Sequence, residues 1–159
     1  MTAQILDRVL TCYRIGDPDG AYPIFDTTGS KLFPGRWNTP SCPMLYTAQH
    51  YSTAMLEKLV HGGGHIPPNQ HYIEISVPTG ISYEVFSAAS TPDWADPTCI
   101  SSKGSGVAWQ TSKRSLLLIV PSVVARVDSN FLFNPDHPEY GNLKHGLHQP
   151  VWWDSRLYS

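Results

Sequence analysis

MLYTAQHYSTAMLEKLVHGGG, residues Met44–Gly64, sets a short apolar strand directly before the clearest helix of the chain. Met55, Leu56, Leu59 and Val60 recur at helical spacing, which predicts a helix from about Tyr51 to His61. Gly62–Gly64 end it, as glycines past a last turn commonly do. Met44–Tyr46 supplies the strand. Upstream, RVLTCYRI (Arg8–Ile15) reads as a strand stopped by the turn residues Gly16-Asp17-Pro18-Asp19-Gly20. Downstream, Tyr72–Val77 alternates, with Ile73, Ile75 and Val77 on one face, and Pro78 closes it. Residues 87–103 read as loop, followed by a short helix at Gly106–Ser112 and an apolar strand at Leu116–Val120. Further short strands are expected at Val123–Val127, Phe131–Phe133 and Val151–Trp153. Strands dominate, helices are few and no regular βαβ alternation is present, so the expected class is α+β.

The 159 residues fit one domain, 1–159, long enough to bury a core without metals or disulfides. Hydrophobic residues at 41% against 15% charged describe a globular chain and not a disordered one. A formal charge of −2 and a pI near 6.3 give no basic excess for nucleic acid or an anionic membrane. A phosphate-bearing ligand must therefore be met by a few local arginines. Met1–Leu10 has no apolar signal-peptide core. The longest apolar-rich run, Leu116–Ala125, is broken by Pro121 and Ser122 and falls far short of the roughly 20 residues that span a bilayer. A cytoplasmic location is the expectation. Cys12, Cys42 and Cys99 form neither an even disulfide set nor a CxxC pair, which suits free thiols in a reducing compartment.

Three motifs fail on inspection. Gly104-Ser105-Gly106 begins like a dinucleotide loop, but Trp109 stands where the third glycine belongs. His61-Gly-Gly-Gly-His65 resembles an esterase oxyanion loop, yet no GxSxG elbow accompanies it. His137, His145 and His148 lie in a polar stretch with no Cys or carboxylate at metal-ligand spacing, so no metal site is expected.

The remaining signals each carry two readings. Arg14 sits in an apolar strand between Tyr13 and Ile15, where a charge needs either a structural carboxylate or an anionic ligand. Arg36, in Pro34-Gly35-Arg36-Trp37-Asn38, is a phosphate-binding candidate, a turn arginine or a partner of an aromatic ring. Glu57, central in the helix, is either solvated or functional. Ser122 follows Val120-Pro121 and defaults to a turn hydroxyl, and Tyr46 to core. Residue chemistry alone reaches a small α+β domain with two arginines suited to phosphate.

Taken in order, these residues resemble the RES-domain family, named for an arginine, a glutamate and a serine. Arg14 in CYRI is similar to the family arginine, Gly35-Arg36-Trp37-Asn38 to its GRW segment, and Leu45-Tyr46-Thr47-Ala48 to its "vYta" strand. Ala54-Met55-Leu56-Glu57 resembles the helix carrying the glutamate, and Val120-Pro121-Ser122-Val123 the "vPSa" segment carrying the serine. Asn130–Pro135, His137-Pro138 and Asp154–Leu157 also resemble family segments, so the likeness spans about 13–158. A proline, in Pro40-Ser41-Cys42-Pro43, stands where the family more often has glycine before its strand.

The resemblance implies an ADP-ribosyltransferase-like fold of two small, mostly antiparallel sheets around an NAD⁺ cleft. It implies a toxin that depletes NAD⁺ by cleaving the nicotinamide–ribose bond, with NAD⁺ as substrate and no cofactor. The alternatives are protein mono-ADP-ribosylation and a non-catalytic partner-binding domain. The implied partner is an Xre-type helix-turn-helix antitoxin that blocks the cleft, with self-association inside that complex. It also implies roles: Arg14 and Arg36 on the pyrophosphate, Glu57 on the oxocarbenium-like ribose, Tyr46 on nicotinamide, Ser122 on ribose or amide, and Trp37 as wall or plain packing.

Overall fold

The computed structural model describes residues 2–158. In chain order the elements are β1 (Gln4–Ile5), β2 (Leu10–Gly16), α1 (Thr28–Leu32), β3 (Leu45–Ala48), α2 (Tyr51–His61), β4 (His71–Val77), β5 (Ser82–Val85), α3 (Ile100–Ser112), β6 (Leu117–Pro121), β7 (Ser129–Phe133), β8 (Lys144–His145) and β9 (Gln149–Pro150). Short 3₁₀ turns lie between β7 and β8, at Pro138–Asn142, and after β9, at Ser155–Leu157. The class is α+β, as expected.

Among the described residues the strands form one nine-stranded sheet in the order β1-β5-β6-β7-β3-β2-β4-β8, with β9 also on β4. Two separate sheets are therefore not what forms, but the expectation has a physical trace. The strands β2 and β4 pair along seven residues, from Leu10↔Val77 to Gly16↔His71. By contrast β2 and β3 meet at a single pair, Tyr13↔Ala48. The sheet is nearly parted at that seam. Pairing is antiparallel except for β5 and β6. A parallel pair needs a crossover, and α3 provides it, so one βαβ unit exists where the sequence showed no alternation.

The core follows the patterns closely. Ile73, Ile75 and Val77 are buried while Glu74 and Ser76 between them are exposed. The continuous apolar run of β6 places Leu117, Leu118 and Val120 in the interior, between β5 and β7. The glycine stop of α2 also forms: Gly63 and Gly64 take φ of 61° and 87°, and the Gly64 amide donates to Leu59 O at 3.0 Å.

Several expectations fail. The segment Val123–Val127 is not a strand. It folds into a closed loop in which the Asp128 amide donates to Ala125 O and the Ser122 amide to Asp128 O, at 2.8 and 3.0 Å, leaving Val127 fully exposed. Nor do Val151–Trp153 form a strand, although the Val151 amide still reaches Gln70 O at 3.0 Å. The loop expected over 87–103 ends early, because α3 begins at Ile100 after Cys99 in the left-handed conformation, φ 59°. Gly104 and Gly106 hide that helix from a propensity reading. A Cβ at Gly106 would collide with the Trp37 carbonyl, so the glycine is what lets α3 approach the 34–38 loop.

Candidate active site

A cleft of about 800 Å³ opens beside the β2–β3 seam. Both strands line it, together with α2, the 33–37 loop, the start of α3 and the residues after β6. Its size suits a small-molecule ligand.

Helix α2 turns an unexpected face inward. Thr53 and Ala54 are buried, whereas Leu56 and Val60, whose spacing suggested the helix, are 38% and 56% exposed. Glu57 lies one turn beyond Thr53 and Ala54 and so reaches the cleft. One oxygen, Oε1, accepts from Ser122 Oγ at 2.9 Å and from Asn130 Nδ2 at 2.8 Å. No donor among the described residues meets Oε2, which leaves that oxygen for a ligand.

Ser122 is wholly buried and is not part of the cleft wall. Its hydroxyl donates to Glu57 and accepts from the Ala125 amide at 3.0 Å. A serine spent in this way orients the carboxylate, and direct bonding of Ser122 to a ribose or amide does not fit this position. Asn130, on β7, was missed as a site residue. It lines the cleft, holds Glu57 and keeps a buried Oδ1 without a partner. The loop carrying Ser122 also fastens the start of α2, since Thr53 Oγ1 donates to Asp128 Oδ2 at 2.7 Å. Glu57 is thus held both from its helix end and at its own oxygen.

Among the described residues Arg14 has no carboxylate partner, and its fork is not exposed. Nε donates to Ile24 O at 2.7 Å, Nη1 to Tyr46 O at 2.9 Å and Nη2, weakly, to Asp26 O at 3.5 Å. It bridges β2 to β3 just where the ladder fails. Burial pushes its pKa down, while the nearby Tyr140 and Asp26 oppose that shift. A guanidinium stays cationic under such pressure, so its positive charge remains at the cleft wall.

Arg36 is anchored as well, with Nη1 on Trp94 O at 3.2 Å and Asp96 O at 2.9 Å. The Tyr46 hydroxyl donates to Asn38 Oδ1 at 2.7 Å and accepts from the Trp37 amide at 3.1 Å. Burial pushes its pKa upward, against those hydrogen bonds, and keeps the phenol neutral. Trp37 touches the cleft wall yet is only 3% exposed and packs edge-on to Phe86 at 4.8 Å, so most of its ring lies in the core. Lys103 Nζ donates to Gly35 O and, at 3.1 Å, to Asn38 O, while Ser102 Oγ donates to Arg36 O at 3.1 Å. The 34–38 loop is therefore clamped onto α3 by residues that the sequence reading passed over.

The cleft wall carries Arg14, Arg36, Lys58 and Lys103 against one carboxylate, Glu57. In a chain of net charge −2 this is a local positive field facing a single negative group. Such a site can hold a polyanion and stabilise a developing cation beside it. Among the described residues, no three His, Cys, Asp or Glu side chains converge to hold a metal, and no helix is long and apolar enough to cross a membrane.

The crystal structure of the M. tuberculosis MbcT–MbcA toxin–antitoxin complex contains a chain of similar fold. The TM-score is 0.71 at 16% identity, over 92% of this chain and 86% of that one. The RES domain model matches residues 11–154, and the chain belongs to the RES domain family. Among its relatives is a protein of Sphingobium sp. (strain YBL2) named "Prs ADP-ribosylating toxin", 35% identical over 91% of this chain and 94% of that protein. Another, "Toxin Res" of Pseudomonas putida strain KT2440, is 33% identical over 87% of this chain and 95% of that protein.

Proposed function

We propose that this chain is the toxin of a toxin–antitoxin pair, a single cytoplasmic domain that consumes NAD⁺ by cleaving its nicotinamide–ribose bond. The observation that carries the reading is Glu57, a carboxylate that lines a cationic cleft, is braced on Oε1 by Ser122 and Asn130, and among the described residues meets no donor at Oε2. The bond between ribose C1′ and the nicotinamide nitrogen breaks, its electron pair goes to the ring, and neutral nicotinamide leaves. Positive charge develops on the ribose, and a carboxylate already oriented towards it stabilises that state without reorganising. Water, phosphate or a protein nucleophile then bonds to C1′ and gives up its proton. The charges of Arg14 and Arg36 attract the pyrophosphate, although all three nitrogens of Arg14 and Nη1 of Arg36 serve backbone carbonyls. Tyr46 supplies a neutral ring for nicotinamide to lie against. NAD⁺ is substrate here, and the reading requires no resident cofactor.

The partner is an Xre-type helix-turn-helix antitoxin. Supporting it, Phe33 and Val60 at the cleft wall are 83% and 56% exposed, and Leu56 adds to the apolar surface of α2. A partner seated there would bury that surface and close the cleft. Protein ADP-ribosylation is the second reading, favoured by the name of the Sphingobium relative. One experiment separates them: the purified chain is incubated with NAD⁺, with and without phosphate, and its products are identified. Free nicotinamide with ADP-ribose, or with its 1″-phosphate, supports NAD⁺ consumption. Nicotinamide released only alongside a labelled acceptor protein supports transfer. Folded, antitoxin-free chain that leaves NAD⁺ intact would sink both and leave a partner-binding domain.

A further inference from the structure

Three of the four Lys or Arg side chains lining the cleft are tied down by carbonyls: Arg14 to residues 24, 26 and 46, Arg36 to 94 and 96, and Lys103 to 35 and 38. Lys58 is the exception. It is half-buried and lines the cleft next to Glu57 in sequence. Among the described residues it enters no ion pair, and no acceptor takes a hydrogen bond from its ammonium. Burial lowers its pKa, and the Arg14 charge close by lowers it further. Withdrawing an ammonium from water beside a second cation with no acceptor costs free energy. An anion entering the cleft removes that cost by accepting from Lys58.

We infer that Lys58 is the free phosphate-binding group of the cleft, its three N–H donors aimed at a phosphate group brought in beside Glu57. Lysine suits this as a compact point charge on a mobile stem, whereas the neighbouring arginines are fixed in place. The inference rests on the NAD⁺ reading for the identity of the ligand, and phosphate chemistry enters there from two sources. One is the pyrophosphate of the dinucleotide. The other is inorganic phosphate acting as the acceptor at C1′.

The test measures binding of ADP-ribose, inorganic phosphate and nicotinamide riboside to the whole chain and to its Lys58→Met and Lys58→Arg variants, each first shown to be folded by its melting curve. Lys58→Met should lose about ten- to hundred-fold in affinity for a phosphate-bearing probe, the usual effect of removing a charged hydrogen bond. Lys58→Arg should recover most of it, and nicotinamide riboside, which has no phosphate, should bind all three forms alike. A loss confined to ADP-ribose assigns Lys58 to the pyrophosphate, and a loss confined to inorganic phosphate assigns it to the acceptor. Unchanged binding of both by folded Lys58→Met overturns the inference, as does failure of the unmutated chain to bind either. Phosphate binding that depends on Lys58 in a chain that releases no nicotinamide keeps the subsite and removes the NAD⁺ reading.

Discussion

At the scale of single residues, the carboxylate and the serine behind it have different jobs, and kinetics can tell them apart. Glu57→Gln keeps an oxygen for Ser122 and Asn130 but deletes the charge facing the ribose. Turnover should fall by about 10²–10³-fold with KM little changed, the mark of a transition-state contact. Ser122→Ala leaves Glu57 held by Asn130 alone, and kcat should drop by about ten-fold with KM nearly intact. A Ser122→Ala enzyme with raised KM and normal kcat would instead put the hydroxyl on the substrate. Arg14→Ala strips the donors from carbonyls at 24, 26 and 46, so it should cost ~1.5–3 kcal/mol of stability as well as ligand affinity. Urea unfolding checks this, and an unchanged midpoint would show Arg14 to be a ligand-binding group alone. By residue chemistry alone Arg14, Glu57 and Ser122 each carry two readings, and it is their order along the chain, similar to the RES family's, that singles them out. What met each of them was not readable there.

At the scale of elements, α2 and α3 show opposite sides of pattern reading. The Tyr51–His61 helix has the bounds its spacing predicts, yet Leu56 and Val60 point outward and Thr53 and Ala54 inward. Periodicity located the helix, but the face it buries was decided by the Asp128 anchor and the seam it covers. The start of α3, Ile100–Lys103, falls within the loop expected over 87–103, because Gly104 and Gly106 lower helix propensity, and Gly106 serves packing instead. Gly106→Ala is a sharp test. On propensity alone it would stabilise a helix interior by about 0.5–1 kcal/mol. Against the Trp37 carbonyl it should destabilise by about 1–3 kcal/mol and loosen the 34–38 loop, raising KM for NAD⁺. A stabilised variant with unchanged KM would show that α3 does not set that loop.

At the scale of the whole molecule, the proposed function predicts that expressing this chain alone arrests bacterial growth and depletes NAD⁺, and that co-expressing the antitoxin restores both. Normal growth with undiminished NAD⁺ in cells holding soluble, folded chain would refute this. With a net charge of −2 the isolated chain should also bind DNA no more tightly than an ordinary acidic protein, DNA affinity belonging to the partner. A salt-sensitive shift of a DNA fragment by the chain alone would overturn that. Local order and bulk charge were within reach of the sequence alone: the alternation of β4, the span of α2, the α+β class and the near-neutral balance all depend on residues a few positions apart or on composition. Tertiary structure alone decided that the two halves of the sheet join at one pair, that Arg14 closes the gap to Tyr46 across 32 residues, and that Ser122 and Asn130 reach Glu57 across 65 and 73. Periodicity records which face of an element is apolar. It holds no record of which distant donor a buried charge will meet, because that is settled only when desolvating the charge forces every partner in reach to be found.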